Sequence, residues 1–170
     1  AHLQASAVAI LHQGLDLLGS LTPADYAQKL PLAFNASIGG HYRHCLEHFE
    51  ALARADGALI DYDARQRDAR TETDLAFAGE WTRDLASAMA ELSEPRLRSA
   101  VKVRCQVGES SEDSPVVMSS VSRELMYAII HAVHHYALIK VMAGMLEVEL
   151  PPSFGVAPST LKFQRITLTM

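Results

Sequence analysis

The run IIHAVHHYALIK, residues 129–140, lies inside a stretch from about Ser120 to Glu147 that has no proline and one glycine. Its length and apolar content predict one long helix near the centre of the molecule. Yet the chain places His131, His134 and His135 where a core helix would carry leucine. Each helical residue advances by about 100°, so His131 and His135 stand about 40° apart on one face, one above the other. His134 lies about 60° to the other side of His131 and points away from His135 by about 100°. The pair at 131 and 135 can therefore reach one ion, and His134 is the poorer partner.

A second stretch repeats the pattern. Asn35 and Ser37 are both good N-caps, and SIGGHYRHCLEHFEALARA then runs as a helix to about Ala55. His41, His44 and His48 are spaced three and four apart and fall within a sector of about 60°. Its Gly39–Gly40 pair costs about 1 kcal/mol per glycine relative to alanine inside a helix. Something must approach the backbone closely there, or the helix begins later. Six of the eight histidines thus lie on two apolar-rich helices. Facing helices of a bundle build metal sites in this way, and neutral imidazole is a common ligand near pH 7. His2 and His12 have no such company.

At 170 residues the chain is expected to form one domain. A net charge of −5 and a pI near 5.9 offer no basic footprint for nucleic acid. No uninterrupted apolar run approaches the roughly 18 residues of a membrane span, so no membrane partner is expected. Two cysteines, Cys45 and Cys105, make no disulfide framework. With no secretory pattern at its start, the chain is expected in a reducing cytoplasm.

Elsewhere, Leu3, Ala7, Ile10, Leu11, Leu15 and Leu18 predict a first helix over 3–19. LTPADYAQKLP is a connector with its own short turn. DGALIDYDARQRDAR reads as loop, and Thr71 opens a third helix to about Leu92, with Asp74 completing an imperfect capping box. VKVRCQV alternates as a half-buried strand, and with GESSEDSP and VVMSS predicts a small β-hairpin before the last helix. The tail LPPSFGVAPSTLKFQRITLTM is rich in proline and glycine early and β-like late. The expected fold is all-α: an antiparallel four-helix bundle over about 3–147, a hairpin inserted before the last long helix, and an irregular tail over 148–170.

SIGGHYRHCLEHF followed much later by HAVHHYALIKVMAG resembles the DinB-like (damage-inducible B) superfamily of metal-binding four-helix bundles. That family carries one histidine on its second helix and an H-x-x-x-H on its last, followed by a segment such as Gly-Gln-Ile. Here HHYALI stands where many members show HRGQI, so the Gly-Gln part is absent. The hairpin and the FGVAPST tail also lie outside the general pattern. The resemblance implies a divalent metal ion (zinc, nickel or iron) held by His44, His131 and His135, with His48 and His41 as reserve ligands. Three histidines leave open positions on such an ion, the pattern of a reactive site. His134 is left as an outer partner of the ligands.

The resemblance further implies a transferase acting with a low-molecular-weight thiol such as bacillithiol, mycothiol or glutathione, or else a metal-dependent hydrolase. The ion would stabilise the thiolate in the first case and generate hydroxide in the second. A hydrolase of this kind wants a carboxylate beside the ion. Glu47 lies about 60° past the His44 face, Glu124 could share the face of His131, and none of Glu47, Glu50 and Glu124 is a convincing base. A thiol transferase needs a pocket for the thiol's polar groups, for which Arg43, Arg65 and Arg67 are candidates, though each is expected first as a solvated surface charge. Cys45, Tyr42, Tyr127 and Tyr136 are expected to pack rather than react. A non-catalytic metal-binding or small-molecule-binding bundle is the third reading. A homodimer through the apolar faces of the first and third helices would suit any of the three.

Overall fold

The computed structural model describes residues 2–55, 59–64, 68–110 and 113–167. Among these the chain is mostly helical, with seven α-helices and a small three-stranded sheet. The four long helices are α1 (His2–Gly19), α3 (Ile38–Arg54), α4 (Leu75–Ala90) and α6 (Val121–Met145). Helix α1 packs on α4 and α6, and α3 packs on α6 and α4, so each long helix has two long neighbours. Between them run the short helices α2 (Pro23–Ala27) and α5 (Glu94–Arg98), two 3₁₀ turns at Pro31–Ala33 and Ala69–Glu72, and a C-terminal helix α7 (Pro158–Thr167).

Capping chemistry sets most helix starts. Ser37 Oγ accepts from the Gly40 amide to open α3, and Ser120 accepts from Arg123 to open α6. Thr22 and Asp25 form a reciprocal capping box at α2. The third long helix begins at Leu75 rather than Thr71. Asp74 is its N-cap, accepting from the amides of Ala76 and Phe77, while 69–72 coils as a 3₁₀ turn.

The expected hairpin is present and belongs to a larger sheet. Strands β2 (Ala100–Arg104) and β3 (Val116–Ser120) pair antiparallel, with Val103 opposite Val117. A third strand, β1 (Leu59–Asp61), pairs parallel to β2 from the segment expected to be loop. Three residues are too few to show a period of two, but Ile60 is fully buried and anchors the strand. β1 follows α3 and β3 runs directly into α6, so the sheet ties together the ends of the two histidine-bearing helices.

The tail is also more ordered than expected. Phe154 is buried and stacks on Tyr136 at 5.0 Å between ring centroids. Lys140 Nζ donates to the carbonyls of Pro151 and Pro152 at 3.1 and 2.6 Å, and the Gly155 amide donates to Gln13. Gly155 has φ +67°, and a Cβ there would strike the backbone of Tyr136 and Ala137. The segment expected to be β-like forms α7, with Pro158 as its first residue.

Helix α6 is 25 residues long, and one 18-residue window has mean hydropathy 1.3. By length and composition alone it meets the criterion for a membrane span, although its apolar run is interrupted by polar residues. Core helices of soluble proteins meet the same criterion, and α6 packs on α3 and α1. Its outer side exposes Met126, Ile130, Leu138, Val141 and Met145. The exposed apolar stripe therefore lies on α6, whereas α1 and α4 pack on each other.

The glycine pair of α3 has a clear structural reason at one position. A Cβ on Gly39 would collide with the backbone carbonyl of Glu72, whereas one on Gly40 meets only Ser37 Oγ at 3.4 Å and the flexible Glu72 carboxylate. Gly39→Ala is therefore expected to destabilise by about 1–3 kcal/mol through overpacking. Gly40→Ala is expected to be neutral or to stabilise by up to about 1 kcal/mol. Urea unfolding of the two variants checks the opposite signs.

Candidate metal centre

Helices α3 and α6 face each other along their histidine stripes. His44 Nε2 and His131 Nε2 stand 2.9 Å apart, and His41 Nδ1 and His135 Nδ1 are also 2.9 Å apart. The His48 ring lies 4.2 Å from His131 and 4.7 Å from His44 between centroids. His135 touches both His44 and His131, at 4.8 and 4.5 Å. Five imidazoles thus form one continuous cluster.

Within it, His44, His48 and His131 each offer one ring nitrogen within 4.8 Å of the others. This trio could hold a metal ion. Two nitrogens on a tetrahedral zinc stand about 3.4 Å apart, since each bond is about 2.0–2.1 Å. The 2.9 Å pair already lies near that separation. The tautomer of His48 also fits. Its Nδ1 lies 2.8 Å from the His44 carbonyl oxygen, which can only accept, so in the neutral ring Nδ1 carries the proton and Nε2 keeps its lone pair. Metal-ligating histidines are commonly oriented by such a bond from their second nitrogen.

Of the expected ligands, His44 and His131 sit in the trio, and His48, expected as a reserve, is its third member. His135 adjoins the trio, but its Nδ1 is engaged with His41. His134 is exposed and meets only the edge of His135, at 5.7 Å, with no hydrogen bond to the cluster among the described residues. Cys45 is buried in the core, and burial pushes its thiol far above the ordinary range. Tyr42 and Tyr136 are buried too, with hydroxyls bonded to Thr82 and to the Ile10 carbonyl.

Beside the trio opens a cleft of about 250 Å³. Tyr62 stacks on His48 at 5.0 Å and Tyr127 on His131 at 5.5 Å, and both line it. The Tyr62 hydroxyl donates to Glu124 at 2.9 Å, and Ser119 donates to the other Glu124 oxygen at 2.6 Å. Burial and the Glu124 carboxylate hold the Tyr62 hydroxyl far above its ordinary pKa, so it remains a donor. Asp63, Cys105 and Gln106 complete the lining. Asp63 Oδ1 accepts from the Gln106 amide at 2.9 Å, and its Oδ2 is buried without a hydrogen-bond partner among the described residues.

The sequence reading missed Tyr62, Asp63, Cys105 and Gln106. One signal was available: the alternation of VKVRCQV places Cys105 on the same strand face as the buried Val101 and Val103. Arg43 is no surface charge. It pairs with the buried Glu47 at 3.3 Å and with Glu72, so both it and Glu47 are engaged. Arg65 and Arg67 lie outside the described residues. Glu50 pairs with Arg54 away from the cleft.

No family profile and no solved structure matches the chain. A protein of Rhizopus delemar named FK506-binding protein 5 is 35% identical over 104 residues, covering 61% of this chain. The matched part is 27% of that protein.

Burial, then the nearby charges of His131, His41 and His134, lower the His135 pKa from 6.5 to about 4. Burial lowers that of His41 as well. The unfolded chain binds a proton at residue 135 below pH 6.5 that the folded metal-free chain refuses until about pH 4. Stability of metal-free protein is therefore expected to fall as pH drops through that window, and to fall less in His135→Gln. Urea midpoints between pH 7 and 5, where carboxylates stay largely ionised, check the difference; equal slopes would contradict it.

Proposed function

We propose that the chain is a divalent-metal-binding protein of the DinB-like kind, in which the ion assists transfer from a low-molecular-weight thiol. In this reading the four long helices are an antiparallel four-helix bundle, and the sheet and short helices are additions to it. The observation that carries the proposal is the trio of His44, His48 and His131 beside a cleft, with His48 held in the tautomer a ligand needs.

A divalent ion held there would supply the positive charge that stabilises a thiolate. The chain's own part is to hold and to shape. His44, His48 and His131 would hold the ion, and the Tyr62 and Tyr127 rings wall the cleft around it. Tyr62 is fixed by its bond to Glu124. Asp63 and Gln106 offer polar groups for the rest of the thiol, a role that Arg43 does not fill because it is paired internally. In the transfer the thiol loses its proton, a sulfur–carbon bond forms, and the bond from that carbon to its leaving group breaks. A reducing cytoplasm, where such thiols are abundant, is the setting this activity needs.

A metal-dependent hydrolase is the second reading, favoured by one observation. Asp63 lines the same cleft, and its carboxylate, whose buried Oδ2 has no hydrogen-bond partner among the described residues, is the candidate base that the helical wheels lacked. The Rhizopus relative's name speaks of binding FK506, and the similarity covers too little of that protein to bring this role here. A non-catalytic binding role would leave the thiol without effect.

Cobalt-loaded protein titrated with glutathione or bacillithiol decides between these readings. The thiol-transfer proposal predicts a sulfur-to-cobalt charge-transfer band and metal-dependent consumption of thiol with an aryl halide, both lost in His48→Ala and His131→Ala. Absence of sulfur ligation, with ester hydrolysis that Asp63→Asn abolishes, would instead favour the hydrolase.

A further inference from the structure

A second cavity, of about 310 Å³, is bounded by α3, α4 and the 69–72 turn and shares no lining residue with the histidine cleft. Its size is that of a small-ligand pocket, for which about 300–1,000 Å³ is usual. Helix α4 presents Phe77, Glu80, Trp81 and Asp84 to it, spaced so that they share one helix face. The opposite walls carry two ion pairs: Arg54 with Glu50 at 2.8 Å and Arg70 with Asp68 at 2.6 Å. These pairs neutralise themselves. Glu80 and Asp84 have no ion-pair partner among the described residues, so the pocket has an excess of two negative charges. As like charges four residues apart on a helix, they repel.

The aromatic wall already shows which group it accepts. The Arg70 guanidinium lies over the Phe77 ring, 4.2 Å from its centroid. Trp81, one turn further along, is the stronger cation–π acceptor of the two and carries no cation among the described residues. Thr71, fully buried, also lines the cavity, and its Oγ1 has no hydrogen-bond partner among the described residues. A ligand bearing several N–H donors would satisfy the carboxylates and that oxygen together.

We propose that this cavity binds a small organic cation, an alkylguanidinium or alkylammonium, with its charged head against Glu80, Asp84 and the Trp81 ring. A planar guanidinium repeats the packing of Arg70 on Phe77 and matches carboxylate geometry, so it is the better head group. This site is separate from the metal reading and stands or falls without it.

Trp81 is the only tryptophan in the chain, so its fluorescence reports on this pocket alone. Full-length protein is titrated at low ionic strength with butylguanidinium, and with butylurea as a neutral isostere. The expected result is a saturable fluorescence change with butylguanidinium and none with butylurea, matched by calorimetry. Glu80→Gln/Asp84→Asn is expected to weaken binding about tenfold while melting as wild type does, since both side chains are exposed. No saturation, equal response to butylurea, or unchanged affinity in the double variant would overturn the proposal.

Discussion

The close approach of α3 and α6 along their histidine stripes is the constraint on which the rest of the structure depends. Two pairs of imidazole nitrogens stand 2.9 Å apart across this interface. In each pair one nitrogen must carry a proton and the other a lone pair, or a cation must lie between them. Burial disfavours the charged forms of His135 and His41, and at His135 the neighbouring histidines add repulsion. A helix pair built this way gives up apolar packing at five positions. Neutral imidazoles aimed at one another offer in exchange a set of lone pairs that a divalent ion can use.

Much of the surrounding architecture serves to fix that interface. The small sheet joins the end of α3 to the start of α6, and it brings Tyr62 and Cys105 to the cleft beside the histidines. Glu124 holds Tyr62 from below, with Ser119 completing its bonds. On the far side of α6, Tyr136 bonds α1 and stacks on Phe154, so the tail is strapped to the same helix. The glycine at 39 lets the 69–72 turn lie against the first turn of α3.

The histidine stripes were legible because helical period and residue chemistry coincide over long stretches. The four long helices and the β2 and β3 strands were legible for the same reason, and the Ser37 cap from its residue chemistry. Spacing alone could not choose among His41, His44 and His48, because all three share a sector; in the structure His44 and His48 cluster with His131, while His41 meets His135. β1 was illegible because three residues carry no period, and its partner lies more than forty residues away. Asp63 entered the cleft through that same strand. The tail misled because its β-branched residues favour strands, whereas Pro158 and the local carbonyl bonds to Ala157 start a helix.

The central claim is that His44, His48 and His131 hold one divalent ion. The most direct measurement is metal content of protein purified without an affinity tag, beside His44→Ala, His48→Ala, His131→Ala and His135→Ala. The account predicts close to one equivalent in wild type, loss in the first three variants and retention in the fourth. A wild type free of metal, with added zinc or nickel neither binding nor raising its melting temperature, would contradict it.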